Sequence, residues 1–238
     1  MSEEKSLIDI SNTDNIVKLI QSPVKLAEVI TGILVSDVKD WKLSAGKLIQ
    51  AAIKFKFLSQ LGKELKEYAQ KGQIKEDYFT THKEQAALHE LLKFIDEEVP
   101  DEERFKAMKS IFLYSITENI SKKDEELSYE LIKVCKRISS GGLLVLKACY
   151  EIVNNNISFD YNGAIDLSIH SAAEWFNIVA KQIGHNMPSL VELYEDELFG
   201  LRLISSRTLP DRSGIGKTKY FRLTELGFKL CDFISKYP

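Results

Sequence analysis

Interruptions are scarce in this 238-residue chain, which holds only 12 glycines, 5 prolines and 3 cysteines. So small a supply of helix breakers favours long helices and excludes a collagen-like or low-complexity chain. The cysteines, Cys135, Cys149 and Cys231, are odd in number, widely spaced and without a Cys-x-x-Cys pair. A disulfide-stapled scaffold is therefore excluded; buried free thiols in a reducing compartment are expected instead. No segment approaches the roughly 18 consecutive apolar residues of a spanning helix, and residues 1–14 lack the apolar centre of a secretory signal. These readings predict a soluble, cytoplasmic protein. Charge of one sign is missing too: 32 Lys+Arg stand against 35 Asp+Glu, a net of −3. That balance argues against a general polyanion binder. With 44% hydrophobic residues, the chain has enough apolar material for one large core or two modest domains.

What is present is mostly helical periodicity. A polar leader (residues 1–13) is followed by helical spacing over 15–38, with Pro23 opening a second helix. Residues 47–69 predict one long amphipathic helix: Leu48, Ala52, Phe55, Leu58, Leu61, Leu65 and Tyr68 are apolar, with lysines between them. Its apolar surface, with that of residues 26–35, exceeds what a two-helix hairpin hides. Either core or subunit packing, with Phe55 and Leu58 buried, or docking on an anionic membrane would satisfy it. Residues 71–83 read as a loop and 85–99 as a helix. Pro100-Asp101-Glu102-Glu103 places a proline and three acids at the positive end of the next helix. A further helix starts near Asp124-Glu125-Glu126. The spacing gives no strand before residue 138.

At Ser139-Ser140-Gly141-Gly142 the texture changes. Residues 143–153 predict a buried helix, 157–159 a short strand and 171–183 an amphipathic helix stopped by Gly184. Pro188-Ser189 opens a helix to Phe199, closed by Gly200. The strand-like runs 201–204 and 219–223 flank a polar loop, and Thr224-Glu225 begins a last helix. "SLVELYEDELFGLRLISSR" (189–207) and "YFRLTELGFKLCDFI" (220–234) resemble the third helix, first wing strand, last strand and last helix of winged helix-turn-helix domains. The resulting expectation is a mainly α protein: a helical bundle over 14–138, then a winged-helix-like α+β domain over 139–238 with a small β-hairpin wing.

Motifs of chemistry fail on context. Gly214-Ile215-Gly216-Lys217-Thr218 looks like the end of a phosphate loop, but Asp211 stands where the pattern needs glycine. The segment also leads into a strand-like run and not a helix. His82, His89, His170 and His185 show no metal-ligand spacing and no nucleophile partner. The acidic runs 101–103 and 124–126 fit helix starts. No catalytic residue, cofactor, metal or small-molecule substrate is expected, and the chain reads as a non-enzyme.

Charge is more informative. Residues 200–222 carry a local +5, from Arg202, Arg207, Arg212, Lys217, Lys219 and Arg222 against Asp211. Arg207, Arg212, Lys217, Lys219 and Arg222 are the candidates for contacts to nucleic-acid phosphates. The helix in the recognition position, 189–199, instead carries Glu192, Glu195, Asp196 and Glu197 and no cation. Such a helix in a major groove would set four acids against phosphates; those acids are the candidates for binding a protein partner.

Across residues 45–235 the order of helices is similar to that of the bacterial abortive-infection family Abi-alpha. The similarity rests on "GKLIQAAIKFKFLSQLGKELKEYAQKG" (46–72), "EQAALHELLKFIDEEVPDEERFKAMKSIFLYSI" (84–116) and "LSYELIKVCKRISSGGLLVLKACYEI" (127–152). It implies a phage-conflict setting and a helical partner-binding or membrane-directed protein, and it transfers no functional residue. The expectation is thus a protein-binding or self-associating adaptor in phage defence. A DNA-binding regulator using the basic wing is the competing reading, and peripheral membrane contact a further one.

Overall fold

The computed structural model describes residues 45–74, 82–97, 101–117, 120–155, 172–184, 187–205 and 222–237. Eight helices make up most of them: α1 (Ala45–Gln70), α2 (His82–Glu97), α3 (Glu102–Ser115), α4 (Lys122–Lys136), α5 (Ser140–Asn155), α6 (Ala172–Gln182), α7 (Pro188–Gly200) and α8 (Glu225–Lys236). The protein is mainly helical. Among the described residues there is no strand; two isolated antiparallel bridges pair Ile74 with Thr117 and Ile204 with Leu223. The helices expected within 15–38 and the strand expected at 157–159 lie outside the described residues.

The chain divides into two compact units, Met1–Pro100 with Ile111–Ile132 and Asp101–Ser110 with Lys133–Pro238. Ser139 caps α5, its hydroxyl accepting from the Gly142 amide at 3.0 Å, and Ser140–Gly142 form the first turn. The serines and glycines at which the sequence texture changes thus form a helix start.

In the first unit α1 packs on α2. Its buried stripe is Phe57, Leu61 and Leu65, spaced by four and therefore stacked on one face. Phe55 is not buried within the chain. Phe55 is 40% exposed, and Leu58 is only half-buried. At about 100° per residue, Phe55 lies roughly 200° round the helix from Phe57, so the two cannot share a face. Leu88, Leu91, Phe94 and Ile95 of α2 are buried too, as are Ile111 and Phe112 of α3. At the start of α3, in the second unit, the Asp101 carboxylate accepts from the Arg104 amide at 2.8 Å. Ser121 caps α4 reciprocally with Asp124: the hydroxyl accepts from the Asp124 amide at 3.1 Å and donates to its carboxylate at 2.9 Å.

In the second unit α5 is the hub, packing against α6, α7 and α8, while α7 also packs on α6. The core takes Leu143, Val145, Leu146 and Cys149 from α5, Trp175 and Val179 from α6, Val191 and Leu198 from α7, and Leu230, Phe233 and Ile234 from α8. All three cysteines are free and buried, as the apolar stripes imply. Burial pushes the Cys135 thiol from its usual 9.0 up to about 12, because the charged form has no solvent there. The same cause raises Cys149 and Cys231.

No helix among the described residues is long and apolar enough to cross a membrane.

Candidate functional site

Helix α7 carries the four acids singled out in the sequence, and its burial pattern decides which of them it presents. Val191, Glu195 and Leu198 are its buried residues. Their spacing of four and three puts them on one face, so a carboxylate lies in the middle of the apolar stripe. An isolated buried charge costs several kcal/mol or more, and here it is paired. One Glu195 oxygen lies 2.8 Å from the Arg222 guanidinium, both side chains being fully buried, and the other accepts from the Trp175 indole N–H. Arg222 also donates to the Ser205 carbonyl at 2.8 Å and to its hydroxyl at 3.3 Å.

This cluster ties α6, α7 and the two chain segments before α8 to one another. Those segments pair locally. The Ser205 amide donates to the Arg222 carbonyl at 2.7 Å, and the Thr224 amide to the Leu203 carbonyl at 3.0 Å, flanking the Ile204–Leu223 bridge. Thr224 then caps α8, accepting from the Gly227 amide at 3.1 Å. Gly227 is required by the close approach: a Cβ there would stand 2.0 Å from the Leu203 carbonyl oxygen.

Two sequence-derived assignments are corrected by this geometry. Arg222 is not a phosphate contact, because its guanidinium is buried on Glu195 and Ser205. Glu195 is not a partner-binding residue, because it is 1% exposed. A third acid is partly diverted. Glu197 accepts from the Ser139 amide and hydroxyl, both at 2.6 Å, placing negative charge at the start of α5 where the helix dipole favours it. Its role is to dock α7 on α5. Gly141 and Gly142 make room for that contact: a Cβ on the first would meet the Tyr194 ring, and on the second the Glu197 carboxylate.

The outward face of α7 is then Ser189, Glu192, Leu193, Asp196 and Phe199. Leu193 is 61% and Phe199 53% exposed, and Met187, just before the helix, is 56% exposed. That face thus carries two exposed acids beside large apolar side chains, and the helix holds no cation.

Arg207, Arg212, Lys217 and Lys219 lie outside the described residues, as do the glycines at 214 and 216, His170 and His185. His89 is exposed on α2. Among the described residues no three His, Cys, Asp or Glu side chains group as a metal site would. Sequence reasoning missed the Trp175–Glu195–Arg222 cluster. The signal was available: Glu195 keeps the helical phase of Val191 and Leu198, and an acid in an apolar stripe demands a buried cation.

Compared with known protein families, curated proteins and solved structures, the chain has no significant match.

Proposed function

We propose that this protein is a non-enzymatic adaptor that works through protein–protein contact, its C-terminal unit being a winged helix diverted from DNA reading. The observation that carries this reading is the disposition of α7. Its inward acids are spent on Arg222 and on the start of α5, and its outward acids stand beside exposed Leu193 and Phe199. Nothing on such a face complements a phosphate row, which rewards cations at each contact. The Ile204–Leu223 bridge supports a hairpin wing, because it closes the two segments in antiparallel register at the place where a wing begins.

The setting we assign is bacterial phage defence of the abortive-infection type. It rests on the likeness of residues 45–235 to that family, and the plating efficiency of phage on a host with and without the chain tests it. Unchanged plating across a broad phage panel removes that setting.

A regulator that grips DNA through the wing is the second reading, favoured by Arg207, Arg212, Lys217 and Lys219. Titration of a labelled duplex separates the two. The adaptor reading expects no binding at physiological salt. A regulator binds there with a log–log salt slope of about −0.9 per phosphate contact, and Arg212→Ala, Lys217→Ala and Lys219→Ala each flatten the slope by about one unit.

A further inference from the structure

No further inference is drawn: the strongest candidate, the exposed apolar patch that Leu193 and Phe199 form on α7 with Met187 just before it, carries nothing because nothing in the structure shows what covers it.

Discussion

Glu195 stands in the buried stripe between Val191 and Leu198, where an apolar residue is the ordinary occupant. Its cost is offset only while Arg222 and Trp175 hold it. Removing one partner of a buried pair leaves the other uncompensated, a loss of about 3–5 kcal/mol. Glu195→Gln and Arg222→Met should each therefore lower the unfolding free energy by about that much in urea titrations. The double variant Glu195→Leu/Arg222→Met should recover most of the loss, since an apolar pair of similar size needs no desolvation. Single losses below about 1 kcal/mol would show that the pair is open to water, as exposed pairs are worth that little. The Lys54–Asp96 pair in the first unit, with Asp96 81% exposed at its side chain, provides the contrast: Asp96→Asn should change stability by less than about 1 kcal/mol.

Among the elements, α8 shows how a short approach is enforced by residue choice. Gly227 leaves the Leu203 carbonyl where a side chain would stand. That neighbour is backbone, pinned by its hydrogen bond from the Thr224 amide, so it cannot yield. Gly227→Ala should cost about 1–3 kcal/mol, whereas Gly200→Ala, in a helical position open to space, should be neutral or stabilising by up to about 1 kcal/mol. Equal melting temperatures for the two variants would refute the close-approach account.

Helix positions were the most legible part of the sequence. The proline and acids at 100–103, Thr224 as a cap, and Gly184, with its φ of +73°, mark ends by local chemistry that tertiary context does not overturn. Gly200 is the last residue of α7, as its place in the sequence implies, although the left-handed residue is Arg202, at φ +59°. Phases were harder. Both Phe55 and Phe57 suit an apolar face of α1, and only packing against α2 decides between them. The Glu195–Arg222 pair was hidden for a different reason: its members are 27 residues apart, and a count of local charge assigns each to its own surface.

For the whole molecule, composition foretold a mainly helical protein with buried thiols, while the proposed function rests on the direction in which α7 points its charges. Net charge across 189–199 said only that this helix repels phosphate. Burial adds that two of its four acids build the unit and two remain outside beside Leu193 and Phe199. That division is the central claim, and one sedimentation experiment addresses it. Wild-type protein is spun with a dye-labelled duplex at low salt, and the protein and dye boundaries are followed separately. The account predicts that the dye boundary stays at the rate of free duplex at every protein concentration. A dye boundary that joins the protein and returns to the free rate as salt is raised would contradict it, because that dependence is the mark of phosphate contacts.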